Sequence, residues 1–271
     1  TSSKLKTWIT REIFNAVYVT RQRQADEDPL EPLMEALRNG ATDYVLKDRS
    51  IRLIPAIDRM YPALRFFRHQ GGELALFNGA TTTLANELMS VLRYDETAGK
   101  PFKALPNVNY HRLAVEDVVI LVDSGVPLSA EMSKTAHAGC LSFEMSSGRY
   151  RYVINSGAPR FAGDHYRQLA RATAAHSTVT VNDTSSSRIS KSSVAGPILI
   201  DGVNETTVDR FDGVEGGEGL TATHDGYQEP FGLIHQRTIH LNSTGTLIRG
   251  KDQALPGVHP VPQSCISRLT I

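Results

Sequence analysis

Cysteine is scarce in this chain: 271 residues hold 2, Cys140 and Cys265. They stand far apart and form no Cys-x-x-Cys pair, which excludes a cysteine metal knuckle and a dithiol redox motif. Two separate thiols are a simpler reading than a disulfide. Net charge is also lacking, since 29 Lys+Arg balance 29 Asp+Glu. No global field therefore draws the chain to nucleic acid or to an anionic membrane, although a local basic groove stays open. No uninterrupted apolar run reaches the length that spans a bilayer. The opening Thr1-Ser2-Ser3-Lys4-Leu5 has neither an initiator Met nor the apolar core of a signal peptide. A processed or partial chain is the expectation. The glycines from Gly213 to Gly219 carry Glu215 and Glu218 and no following Lys-Ser/Thr, so they do not make a phosphate loop. A Gly-x-Ser-x-Gly nucleophile elbow and a basic-aromatic nucleic-acid motif are absent too.

What remains is a chain of ordinary hydrophobic content, 40%, long enough to bury a core. Its texture changes part-way. Up to about residue 70 the apolar residues recur at helical spacing: Trp8, Ile9, Ile13, Phe14 and Val17, then Leu33, Ala36 and Leu37, then Ile54, Ile57, Tyr61 and Leu64. Asn39-Gly40 stops one helix, and Thr83 to Leu92 suggests one more. Leu74 to Phe77 reads as a short strand after the Gly71-Gly72 turn. Beyond Pro106 the chain reads as strand after strand: Tyr110–Leu113, Val118–Asp123, Leu141–Met145, Tyr150–Asn155, Ser177–Val181, Ile198–Ile200, Gly219–Thr223, Leu233–Leu241 and Thr246–Lys251. Short strands at this density, punctuated by Gly, Asn, Asp and Ser, predict an antiparallel β-sandwich. The fold class expected is α+β: a mainly helical region over 1–105, then a β-sandwich over 106–271.

The polar residues that look arranged lie between Thr135 and Ser187. Ala136-His137-Ala138-Gly139-Cys140-Leu141-Ser142-Phe143 leads into one strand, and Ser147-Gly148 turns it into the next. That strand ends on Ile154-Asn155-Ser156-Gly157, and Arg171-Ala172-Thr173-Ala174-Ala175-His176-Ser177-Thr178 opens a third run. His137, Asn155 and His176 are expected to meet at one sheet edge. His235 and His240, an odd number apart on a strand, are expected on opposite faces.

These motifs resemble the heparinase II/III family of polysaccharide lyases. The family pattern is His-x-His-x-Asp before a Ser-Phe strand, then Asp-Ser-Gly, then Arg-x-Thr-x-Ala-His-Asn/Ser-Thr. The likeness implies a partial α/α-toroid followed by an antiparallel β-sandwich, and β-elimination of acidic glycans that contain uronic acid, glycosaminoglycans among them. It implies an acidic polysaccharide as partner, a periplasmic or secreted setting, and no nucleic acid. It makes His137, Asn155 and His176 the metal positions, with zinc as the ion. His176 and Tyr227 become the catalytic candidates; Tyr166, Arg167 and Arg171, which precede His176 at spacings that could line a groove, are the substrate-binding ones, since an arginine fork suits carboxylate and sulfate. The chain departs from the pattern at Thr135, where the family has its first His, at Gly139, where it has Asp, and at Asn155, where it has the metal-binding Asp. The competing expectation is therefore a non-catalytic carbohydrate-binding or structural sandwich.

Overall fold

The computed structural model describes residues 61–93, 100–127, 130–159, 161, 163–212, 217–258 and 268–270. The helices expected before residue 61 lie outside that set, so no toroid is part of the described structure. Two units divide it at Phe66/Phe67, Ala85/Asn86 and Phe102/Lys103. In the smaller, residues 61–66 are helical, as is most of α1 (Ala85–Leu92).

The larger unit is a sandwich of two antiparallel meanders. The first sheet runs β1 (Ala104–Leu105), β2 (Tyr110–Val115), β3 (Val118–Asp123), β4 (Phe143–Ser147) and β5 (Tyr150–Val153), in that spatial order. The second runs β9 (Thr206–Asp212), β10 (Glu218–Tyr227), β11 (Leu233–Leu241) and β12 (Ile248–Pro256). β3 is a Val-Val-Ile-Leu-Val run buried along its whole length, as a strand covered on both faces must be. Its Val118, Ile120 and Val122 join Leu113, Leu220, Ala222, Ile239 and Leu241 in the core between the sheets. β11 alternates buried and half-buried residues from end to end, the period-2 signature of a strand with one face in the core.

The other face of the first sheet is crossed by residues 67–80. The expected strand Leu74–Phe77 is not one: only Leu74 bridges, to Arg68. Its backbone is satisfied elsewhere, with the Leu76 N–H donated to the Glu144 carboxylate at 2.9 Å. The Ser147-Gly148 turn does join β4 to β5, with Gly148 at φ +52°. β9 was not foreseen, because Thr-Thr-Val-Asp-Arg-Phe-Asp puts a single aliphatic residue, Val208, against the core. Past the sheets, β6 (Thr180–Val181) pairs with β13 (Leu269–Thr270), and β7 (Arg188–Ile189) with β8 (Leu199–Asp201). Val179 and Val181 pack on Tyr227 and Leu233, closing that end of the second sheet.

Candidate functional site

None of His137, Asn155 and His176 stands in a strand. His137 follows a 3-10 turn, Ala130–Thr135. Asn155 lies two residues beyond β5. His176 caps a second 3-10 turn, Thr173–Ala175, and the strand expected at Ser177 begins only at Thr180.

The fold nevertheless brings the two imidazoles together. His137 Nδ1 and His176 Nε2 are 3.0 Å apart, with the rings edge to face at 86°. His176 Nδ1 lies 2.9 Å from the Ala172 carbonyl, which can only accept, so Nδ1 carries the proton and Nε2 the lone pair. His137 Nδ1–H must then be the donor to His176. Burial, the neighbouring His176 and Arg171 together lower the His137 pKa to about 3. Burial likewise lowers that of His176. The pair is neutral at physiological pH. No hydrogen bond joins Asn155 to either ring. Its Oδ1 accepts from Ser177 N–H at 3.2 Å, and its Nδ2 is buried with no partner among the described residues.

The remaining candidates divide by exposure. Arg171 is buried and its fork is filled: Nε donates to Ala136 O at 2.7 Å, Nη2 to Ser133 O at 2.8 Å, and Nη1 to Pro197 O at 2.6 Å and Gln168 Oε1 at 3.0 Å. It pins loops together and has no donor pair left for a ligand. Tyr227 is fully buried and gives its hydroxyl to Val179 O at 2.6 Å; burial raises its pKa. No hydrogen bond or ring contact joins it to the His137–His176 pair. Tyr166 and Arg167 lie on α2 (Asp164–Leu169), a helix with no buried residue, and stay open to a ligand.

Two buried carboxylates support this arrangement, and sequence reasoning passed over both. Glu144 accepts from Asn155 N–H at 3.1 Å, from Leu76 N–H at 2.9 Å, and meets His69 Nε2 at 2.9 Å. Asp123 accepts from Asn78 Nδ2 at 3.0 Å and Tyr110 OH at 3.2 Å, and burial raises its pKa to about 7. Asn78 Oδ1 in turn takes the His137 N–H at 3.2 Å. The available signal was a lone acid at an alternating position inside a strand: Glu144 in β4, Asp123 closing β3.

A second imidazole chain lies in the other sheet. Gly226 N–H is 3.1 Å from His224 Nδ1, His224 Nε2 is 3.1 Å from His235 Nδ1, and His235 Nε2 is 2.8 Å from Asp252 Oδ1. Arg237 clamps both oxygens of Asp252 at 2.8 and 2.9 Å and donates to Leu141 O at 2.7 Å and to Ser177 O. This clamp ties the residue after His176 to the second sheet. His240, as expected, is on the opposite face, stacked with Phe211.

The donor set does not fit zinc. Structural zinc takes four ligands, commonly thiolate, imidazole or carboxylate. Here two imidazoles bond to each other, and the third member is a neutral amide whose oxygen is already committed. No group of three His, Cys, Asp or Glu able to hold an ion occurs among the described residues. Gly139 adds to this: a Cβ there would stand 2.8 Å from His176 Cδ2, so the ring occupies the space that a family-type Asp would need.

Residues 97–258 match the family described as Heparinase II/III-like, C-terminal. The chain belongs to that family. A curated relative, FtsZ-localized protein C of Caulobacter vibrioides, is 33% identical over 205 residues, covering 74% of this chain and 35% of that protein. Among solved structures, a mutant of the heparan sulfate lyase HepC from Pedobacter heparinus superposes with a TM-score of 0.56 at 17% identity, covering 75% of this chain and 33% of that one. A heparinase III, the BT4657 gene product, gives 0.55 at 14%, with the same coverage. At such identity these two likenesses speak for the fold alone. The chain spans about a third of the length of the relatives it matches. No helix among the described residues is long and apolar enough to cross a membrane.

Proposed function

We propose that this chain is a glycan-binding β-domain with lyase architecture and no lyase turnover of its own. One observation carries the reading: the side chains that elimination would require are bonded internally. β-Elimination needs a base for the proton α to the carboxyl group, an acid for the leaving oxygen, and donors that neutralise the substrate carboxylate. Arg171 gives its donors to protein oxygens, and the Tyr227 hydroxyl is sealed against Val179 O. His137 Nε2 is the one ring nitrogen of the imidazole pair without a partner among the described residues. With a pKa near 3, it is a poor base at neutral pH, where catalysis works best with a group that titrates near the operating pH. Thr135, at the family's first-His position, supplies no substitute. Family membership supports the polysaccharide as partner, and exposed Tyr166 and Arg167 would contact it.

The test is to incubate the chain with a panel of uronate-containing polysaccharides, following the ultraviolet absorbance of unsaturated uronate, and to measure affinity in parallel. Binding without product is expected. Rapid product formation abolished by His176→Ala would overturn the reading.

A second reading follows from the relative at 33% identity, whose name places it with FtsZ. On that reading the sandwich serves protein localisation, and it predicts capture of polymerised FtsZ in a co-sedimentation assay rather than of glycan.

A further inference from the structure

β5 ends next to the site. Its chain runs on through Ile154 into Asn155, and the following Ser156 donates its N–H to Ala175 O at 3.2 Å, directly before His176. β5 is also an outermost strand of the first sheet. The exposed side chains of β5 and of the residue just beyond it are large and largely apolar: Tyr150 at 56% of full exposure, Tyr152 at 65%, and Ile154 at 51%. They stand at every second position, and the register of β5 against β4 shifts between Arg151 and Val153, which makes Tyr152 the extra residue of a bulge. A charge would be the ordinary guard on such an edge; here exposed rings stand in its place, and grouped exposed apolar side chains mark binding surfaces.

The arginine beside these rings defines the partner further. Arg149 stacks over the Tyr150 ring at 4.9 Å and donates Nη2 to its hydroxyl at 2.6 Å. One face of that ring is thereby covered, the ring is held in place, and its other face is offered to a ligand at reduced entropic cost. Arg149 is exposed, whereas Arg151 is half-buried, its Nη1 buried and without a hydrogen-bond partner among the described residues. Exposed rings with hydroxyl tips, one of them held under an exposed arginine, suit a ligand with flat CH faces, hydroxyl groups and negative charge.

We propose that β5 is a platform for an acidic polysaccharide: sugar rings stack on Tyr150 and Tyr152, their carboxylates or sulfates pair with Arg149, and the chain is led past Ile154 toward Asn155 and His176. The inference rests on the glycan-binding reading and adds where the glycan lies. Arg149, Tyr150 and Tyr152 are exposed and stand outside the core between the sheets, so their truncation should leave the fold intact.

The test is affinity electrophoresis of the full chain, and of Arg149→Ala, Tyr150→Ala and Tyr152→Ala, through gels containing polygalacturonate, heparan sulfate or neutral dextran. The wild type should be retarded by the acidic polymers and not by dextran, less so in high salt. Each variant should bind about tenfold more weakly, the weight of one aromatic contact, with an unchanged Tm. Wild-type binding that all three variants retain would overturn the platform and leave glycan binding intact elsewhere on the chain. A wild type that no acidic glycan retards would overturn both. Equal retardation by an oligothymidylate, or a dimer that Tyr152→Ala dissociates in size-exclusion chromatography, would show that the rings serve bases or a second copy instead.

Discussion

At the residue scale, the partners of a polar group decide its role, and the sequence names the group without its partners. His176 and Arg171 stand out in the motif, yet what matters is that one shares a proton with His137 and the other fills its fork with carbonyls. His111 makes the same point from the other side. It belongs to no motif, and the structure buries it with both ring nitrogens unpaired among the described residues. Burial first, and then Arg210, lower its pKa to about 4. The unfolded chain takes up this proton near pH 6.5, so the folded state binds fewer protons between those values, and stability falls as pH drops from about 6.5 to about 4. His111→Leu removes both the unpaired nitrogens and the titration. It should raise stability at neutral pH by about 1 kcal/mol and flatten the slope below pH 6.5. Urea unfolding at pH 7 and pH 4.5 would read both; a variant with the wild-type slope would show that other groups carry it.

At the element scale, period and burial made the strands legible. β3 and β11 are where alternation and β-branched runs put them, residue for residue. Elements that escaped are those whose partners are side chains or whose core contact is one residue: the 67–80 crossing, held by Glu144, and β9, held by Val208. Apolar content alone suggested a strand at Leu74–Phe77, and no local signal reveals that a carboxylate will take its amide. The same dependence makes β11 and β12 vulnerable at one pair. Arg237 is buried, and Asp252 holds it by two bonds. Burial raises the Asp252 pKa, but the hydrogen bonds and charges of His235 and Arg237 outweigh it and hold it near 2. Asp252→Asn strands a buried guanidinium and should cost about 3–5 kcal/mol, read as a lower denaturation midpoint with little change in m-value. A cost under about 1 kcal/mol would mean that Leu141 O and Ser177 O suffice for Arg237. Gly139→Asp, which rebuilds the family residue, should destabilise as well, because its Cβ meets a His176 ring fixed at both nitrogens. Imidazole NMR signals of the variant would report the broken ring-to-ring bond.

For the whole molecule, the question is whether a metal helps to hold the sandwich. Family resemblance made three positions metal ligands, but the two rings bond to each other and Asn155 Oδ1 accepts from Ser177 N–H. The Arg171 fork and the Arg237–Asp252 clamp already hold the segments of His137 and His176, and Glu144 and Ser177 hold Asn155. Where a structural zinc supplies folding free energy, chelators unfold the protein. A chelator should therefore leave the Tm of this chain unchanged, and elemental analysis should find far less than one zinc per chain. Asn155→Asp supplies the missing anion next to two imidazoles, of which His137 can move its proton to Nε2 and free its Nδ1 lone pair. A ligand that binds only the folded state stabilises it by about 2.7 kcal/mol at a hundred times its dissociation constant. Added zinc should thus raise the Tm of Asn155→Asp and leave the wild type where it was. A wild type that loses several degrees on chelation would show that the amide oxygen coordinates after all, with Ser177 N–H giving up its partner. An Asn155→Asp chain indifferent to zinc would place the obstacle in the ring-to-ring bond and Gly139 rather than in the missing charge.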